Sequence, residues 1–321
     1  MLRWNRRLLV CLEVLALVLS SAPPVWAWND RGHMSVAYLA YRKLRPATRD
    51  RVNTLLRLNP KYSDWMASVA KQMPGAGPDD QDMMIFMLAS TWADEIKRDP
   101  AYRPDGSHSG NSPAGSPGPG ENTGYADLLM HKYWHFIDRP FATDGTPLPA
   151  IPTPNVAERI ALFRQVLASP AGDELKSYDL TWLLHLVGDV HQPLHAATRV
   201  TGAHPEGDAG GNLVKLACAN CELHFFWDDL LGTASDLKSV MEGARQLAPA
   251  KAALAAKSDE KDWVAESFRA AERIVYAPPV GPGDGPFHLT LAYQKKAQKL
   301  ARERVALAGQ RLANLLNREL R

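Results

Sequence analysis

His185-Leu186-Val187-Gly188-Asp189-Val190-His191-Gln192-Pro193-Leu194-His195 is the stretch on which the reading of this chain turns. Its apolar residues point to a helix, and on a helix His185 and Asp189, four apart, lie one above the other on the same face. Such a face can grip a metal ion. Pro193 cannot sit inside a helix undisturbed, so the chain bends there and aims His195 elsewhere, at a second ion. One isolated His-x-x-x-Asp is more often a buried helix with satisfied histidines. The metal reading therefore depends on further ligands in the chain.

The first 27 residues read as a secretory signal. Arg3, Arg6 and Arg7 precede an apolar run from Leu8 to Leu19, and Val25-Trp26-Ala27 suits cleavage between Ala27 and Trp28. The apolar run is too short to span a bilayer and contains Glu13, so the mature protein is expected to be secreted or periplasmic and off the membrane. About 294 residues remain, read as one domain over 28–321. The signal holds three of the 37 Lys+Arg and one of the 35 Asp+Glu, leaving 34 of each. A neutral chain does not grip nucleic acid through a broad basic surface; affinity for phosphate must come from another source of charge. Cys218 and Cys221 form a Cys-x-x-Cys pair, read as a disulfide, with half a zinc site as the alternative.

Helical spacing runs through Val36, Leu39, Ala40 and Leu44, through Asp50 to Leu58, and from Asp79-Asp80-Gln81 into Met83 to Ala89. It returns in Val156–Leu167, Leu175–Val190 and Leu289–Leu320, the last with Lys and Arg on a face read as solvated. Residues 103–124, rich in Gly, Pro and Ser, read as a flexible insertion. Asp208-Ala-Gly-Gly-Asn212 reads as a turn, and Leu213–Leu216 as a strand returning through Cys221 in a small β-hairpin. The class is all-α, a mainly helical domain with that one hairpin.

Asp94 lies beside Trp92 among apolar residues, His135 in the aromatic run Tyr133-Trp134-His135-Phe136-Ile137-Asp138, and His224-x-x-x-Asp228 repeats the His185/Asp189 pattern. Imidazole and carboxylate without a thiolate cluster suit zinc. These are too many ligands for one ion, and phosphoryl chemistry uses clustered ions placed on both sides of phosphorus.

Taken together, Trp28 with His33 five residues on, Trp-Ala-Asp94, Trp-His135-Phe-Ile-Asp138, His185-x3-Asp189-x5-His195 and His224-x2-Trp-Asp228 resemble the trinuclear zinc-dependent single-strand nucleases of the mung bean nuclease type. That family is related to the bacterial zinc-dependent phospholipases C. The resemblance runs from Trp28 to the final helix and implies the phospholipase C/nuclease fold with three Zn2+ per chain. It implies that Asp94, His135, His185 and Asp189 hold one ion. Asp189 then bridges to a second, which is also held by His33 and by the amino and carbonyl groups of Trp28; His195, His224 and Asp228 hold the third. Asp94 and Asp189 would serve catalysis by flanking an activated water. Lys97, Phe136, Asp138 and Asn212 match the base pocket, with Phe136 stacking on an unpaired base. His131, His191, His204 and His288 are expected to have no metal role.

The expected activity is endonucleolytic hydrolysis of single-stranded DNA and RNA to 5′-phosphate products, with 3′-nucleotidase action on nucleotides, by a monomer. A phospholipase C-like phosphodiesterase and a non-catalytic zinc-binding protein stand as alternatives.

Overall fold

The computed structural model describes residues 28–104, 121–218 and 221–320; the expected signal segment lies outside them, as does 105–120 of the expected insertion. The first element is α1 (Asp30–Tyr41), followed by α2 (Pro46–Leu56), α3 (Tyr62–Gln72), α4 (Pro78–Ala89) and the single turn α5 (Trp92–Glu95). Then come α6 (Val156–Ala168), α7 (Asp173–Asp189), α8 (Leu223–Asp228), α9 (Leu237–Arg245), α10 (Ala252–Ala255), α11 (Glu260–Ala270) and α12 (Leu291–Glu319). The fold is mainly α, as the periodicity predicts. No helix among the described residues is long and apolar enough to cross a membrane.

Every residue of α7 from Ser177 to Asp189 is buried. A helix apolar nearly all round belongs in the middle of a bundle, and α7 is packed by α6, α2, α12 and α1. The same continuous burial that makes α7 the core places His185 and Asp189 there too. Starts of the flanking helices are set by local chemistry. Asn155 caps α6 in a reciprocal capping box with Glu158, and Pro46 and Pro78 occupy the opening turns of α2 and α4. Asn29 caps α1 by accepting from the Gly32 amide at 3.2 Å, while its own amide donates to Asp229 Oδ1 at 2.7 Å. That bond ties the start of α1 to the end of α8.

Two expectations need correction. The sheet is parallel rather than a hairpin: β1 (Pro140–Ala142) pairs with β2 (Thr198–Val200) in the register Phe141 to Arg199. The expected hairpin over Leu213–Cys221 shrinks to one antiparallel bridge, Lys215 to Glu222. Across that bridge Leu216 N donates to Cys221 O and Leu223 N to Val214 O, both at 2.9 Å, while Lys215 and Ala217 turn their backbone groups outward to Asp284 and Phe287, and the antiparallel pairing goes no further. Cys218 and Cys221 are disulfide-bonded.

The basic face of α12 is also only partly solvated, since Arg304 and Arg311 are 6% and 1% exposed. Arg311 donates to His191 Nε2 at 2.9 Å and to Glu266 Oε2 at 2.9 Å, and Arg304 donates to the His191 carbonyl at 3.0 Å. Together they clamp α12 to the chain just past α7.

α12 passes close against α1 at Gly309, where an added Cβ would lie 2.7 Å from Leu39 Cβ and 3.0 Å from the Val36 carbonyl oxygen. Gly309→Val therefore forces the two helices apart. A loss of about 1–3 kcal/mol in unfolding free energy is expected, seen as a lowered Tm in thermal unfolding; an unchanged Tm would show that this crossing is loose.

Candidate metal centre

Seven of the predicted ligands reach one region from five parts of the chain, and an eighth comes from the opening turn of α1. His33 sits in that first turn, Asp94 in α5, His135 just after a 3-10 turn at Lys132–Trp134, and His185 and Asp189 in the last turns of α7. His195 lies in the 3-10 turn Pro193–Ala196 that follows the Pro193 bend, and His224 and Asp228 lie one turn apart on α8. All eight are buried.

Three sets have ligand atoms within 4.8 Å of one another: His33, Asp94 and His185; His135, His185 and Asp189; and His195, His224 and Asp228. The first two share His185 and merge into one group. His33 Nε2 stands 3.4 Å from Asp189 Oδ1, and His185 Nε2 stands 3.3 Å from Asp189 Oδ2. His135 Nδ1 is 3.0 Å from the same Oδ2, and His185 Nε2 is 3.7 Å from Asp94 Oδ1. Asp189 thus offers one oxygen to His33 and the other to His135 and His185, as a bridging carboxylate does.

Main-chain carbonyls set the orientation of three rings. His185 Nδ1 donates to Ser90 O at 2.8 Å, His195 Nδ1 to His135 O at 2.9 Å and His224 Nδ1 to Gly210 O at 2.7 Å. A carbonyl only accepts, so each Nδ1 carries the proton and each Nε2 lone pair points into the site. The Nε2 atoms of His195 and His224 then face each other 3.1 Å apart. Two lone pairs at that distance repel unless a cation lies against both. Asp228 completes the set, with Oδ2 3.5 Å from His224 Nε2 and Oδ1 accepting from Gln192 Nε2 at 2.7 Å.

Buried polar atoms without a hydrogen-bond partner gather in the same place. They include both ring nitrogens of His33, His185 Nε2, Asp94 Oδ2, Asp189 Oδ1 and Asp228 Oδ2. Such atoms are costly inside a protein and call for an explanation, and divalent ions held by the separate groups would satisfy His185 Nε2, one nitrogen of His33 and the carboxylate oxygens. Nitrogen and oxygen donors with no thiolate fit zinc.

The electrostatics agree. Burial pushes the carboxyls of Asp189 and Asp228 well above their ordinary range, and neighbouring Asp94 adds to both shifts. Burial likewise presses His33 and His135 well below 6.5, and takes His185 down to about 4. Asp94 is the exception: burial works to raise it, but Lys97 and His185 more than offset that and leave it lowered. Lys97 Nζ donates to Asp94 Oδ1 at 2.7 Å, with a side chain only 7% exposed. It is no solvated charge.

Two glycines make room for these side chains. A Cβ on Gly188 would lie 2.8 Å from His33 Nδ1, so only glycine lets α7 pass beneath that ring. Gly210, at φ +59°, would put a Cβ 2.6 Å from the Leu194 carbonyl, and its own carbonyl is the one that orients His224. The Asp208–Gly211 turn is held in turn by Asp208, which accepts from the amides of Arg199 and Gly211, both at 3.0 Å, and from Tyr276 Oη at 2.9 Å.

Of the remaining predicted residues, Trp28 is fully buried immediately before α1, and its Cβ would collide with any side chain at Gly32. Phe136 and Asp138 follow His135 and are half-buried, the Phe136 ring standing edge-on to Tyr133 at 6.1 Å. Asn212 is half-buried on the Gly210 turn and donates to Ala209 O at 2.6 Å. His131 pairs with Asp127 at 2.8 Å, His191 with Arg311 and His204 with Asp284 at 2.9 Å, and none joins a metal group. Sequence reasoning missed Gln192, although it stands inside the opening stretch, and the Ser90 carbonyl, which no residue type announces.

A pH effect follows for the metal-free protein. Folding lowers the His185 pKa from 6.5 to about 4, so it favours the neutral ring. That stability is complete above pH 6.5 and is lost as pH falls toward 4, by roughly 3 kcal/mol at about 1.4 kcal/mol per unit. Denaturant unfolding at pH 7 and pH 4 in the presence of a chelator measures it. His185→Gln should show a correspondingly smaller decline; parallel declines in both proteins would remove His185 from the account.

Comparison with known proteins agrees with this geometry. Endonuclease 3 of Arabidopsis thaliana is 24% identical over 237 residues, which cover 71% of this chain and 62% of that relative. The chain thus spans about six-tenths of the length of the curated relative it matches. The family model described as S1/P1 Nuclease matches residues 28–321, a span that holds every candidate ligand above, and the chain belongs to the S1/P1 nuclease family.

Proposed function

We propose that this protein is an exported zinc-dependent nuclease that hydrolyses phosphodiester bonds in single-stranded DNA and RNA, leaving 5′-phosphates, with 3′-nucleotidase action on nucleotides. The observation that carries the reading is the pair of imidazoles, His195 and His224, whose lone pairs face each other beside Asp228. S1/P1 nucleases are zinc-dependent, and the donor set fits that metal. In this reading His33, Asp94, His135, His185 and Asp189, with the Trp28 terminus, hold two ions, and His195, His224 and Asp228 hold a third. Bound zinc supplies a lowered pKa for water and a Lewis acid for the phosphate and leaving oxygens.

The chain's own residues divide the remaining work. Lys97 keeps Asp94 ionised inside a buried site, so its charge is available without a proton having to leave. Gln192 fixes one oxygen of Asp228 and leaves the other to face His224. Phe136 offers a half-buried ring next to His135, suited to stacking on a base with no pairing partner, while Asp138, Asn212 and Lys97 supply polar contacts to it. The cationic centre reconciles nucleic-acid substrates with a chain that is close to neutral overall. The protein is proposed to act as a monomer.

Hydrolysis of a single-stranded oligonucleotide and of phosphatidylcholine vesicles, measured alongside zinc content, is the direct test. Three zincs per chain with nucleotide release support the proposal. Release of a phospholipid headgroup alone would move the protein to the phospholipases, and zinc without turnover would make it a binding protein. Phe136→Ala should weaken single-strand binding by about 1–3 kcal/mol, read as a raised KM.

Trp28 carries a sharper consequence. An internal peptide nitrogen cannot donate its delocalised lone pair, whereas a free, deprotonated α-amine can. Export and cleavage after Ala27 would therefore complete the site held by His33. Protein made with one extra residue before Trp28 is expected to fold yet bind one zinc fewer and cleave poorly; equal zinc content in both forms would leave Trp28 as a buried aromatic only.

A further inference from the structure

Away from the metal groups, a cleft of about 690 Å³ opens between the α9–α10 connection, α11 and α12. That volume falls in the range of sites for small molecules. Its lining contains no metal ligand and no aromatic side chain. The apolar part is aliphatic: Leu254, 37% exposed, Leu300, and Leu307, which lies deepest at 4%. The lining is cationic, with six basic residues, the buried Arg304 among them, against two carboxylates, in a chain of nearly balanced charge.

The two carboxylates are already engaged. Glu266 is held by Arg304 and Arg311, and Glu303 stands 3.9 Å from Lys299. Lys295, Lys299 and Arg302 recur at helical spacing along one face of α12, so three positive heads share one side of the opening. Arg302 is braced by its bond to the Gln246 carbonyl at 3.0 Å. The stems of these side chains extend the aliphatic surface upward, and their heads cap it with charge.

We propose that this cleft binds a single-chain aliphatic anion, a carboxylate or phosphate head on an alkyl tail. Its tail lies along Leu254, Leu300 and Leu307, and its head meets Lys295, Lys299 and Arg302. A nucleic-acid strand fits less well, because unpaired bases need aromatic platforms and the cleft has none. A bilayer surface fits less well too, because Leu307 is recessed and does not protrude.

Calorimetric titration of the zinc-loaded mature protein with decanoate and with decyl phosphate, both below their micelle-forming concentrations, tests the proposal. Inorganic phosphate serves as the head alone and decyl maltoside as the uncharged tail. Two variants define the cleft, Lys295→Glu/Lys299→Glu on an exposed helix face and Leu254→Asp; binding of any anion at the metal groups persists in both. Expected is one saturable site per chain for a decyl anion, weakened at least tenfold in each variant, with nuclease activity unaltered. Preference between the two heads separates a fatty carboxylate from an alkyl phosphate as the source. Decyl-anion binding unaltered in both variants would overturn the proposal. So would a variant-sensitive site that takes inorganic phosphate or decyl maltoside as well as the decyl anions, or one that responds only to phosphatidylglycerol vesicles or to an oligothymidylate.

Discussion

Five buried imidazoles and three buried carboxylates gathered around a few ångströms of shared space are the constraint from which the rest of this protein follows. Asp94, Asp189 and Asp228 repel one another, and burial penalises the charge on each. Such a set does not assemble by attraction among its members. It is held in place by α7, whose unbroken buried face from Ser177 to Asp189 leaves the helix only one environment to occupy, and by the elements that close over it. Hydrophobic burial supplies the force, and the polar centre is carried inward with it.

The clamp at the end of α7 shows how that position is defended. Arg304 and Arg311 reach from α12 to the carbonyl and the ring of His191, with Glu266 between them. A buried ionic network adds little net stability compared with apolar packing. Here it grips both the ring and the carbonyl of His191, two residues past Asp189 and next to Gln192, where the chain turns between the two candidate metal groups.

Much of this is legible in the sequence, for physical reasons that differ from residue to residue. His185 with Asp189 and His224 with Asp228 could be read because a helix converts a spacing of four into a shared face. Asp94 stood out because a carboxylate amid apolar residues needs a partner. The helix α3 lies outside the sequence reading although Trp65 and Val69, four apart, share its buried face, and the Leu213–Cys221 strand is shorter than its composition suggests because the outer backbone groups of Lys215 and Ala217 bond to Asp284 and Phe287, far along the chain. Arg304 and Arg311 looked like surface residues because their partner, Glu266, lies on another helix. Within the centre, the Ser90 and Gly210 carbonyls were invisible in principle: every residue has one, and only the folded backbone says where it points.

Those carbonyls bear on how such a centre persists as sequences diverge. An orienting aspartate or asparagine can be lost to one base change, and the ring it steadied then swings or flips its tautomer. His185, His195 and His224 are steadied by main-chain oxygens of Ser90, His135 and Gly210 instead. No substitution deletes a main-chain oxygen; it can only be moved, by altering the backbone path. The orientation of these rings is thus stored in the course of the chain, and a change of side chain reaches the three lone pairs only by moving that course.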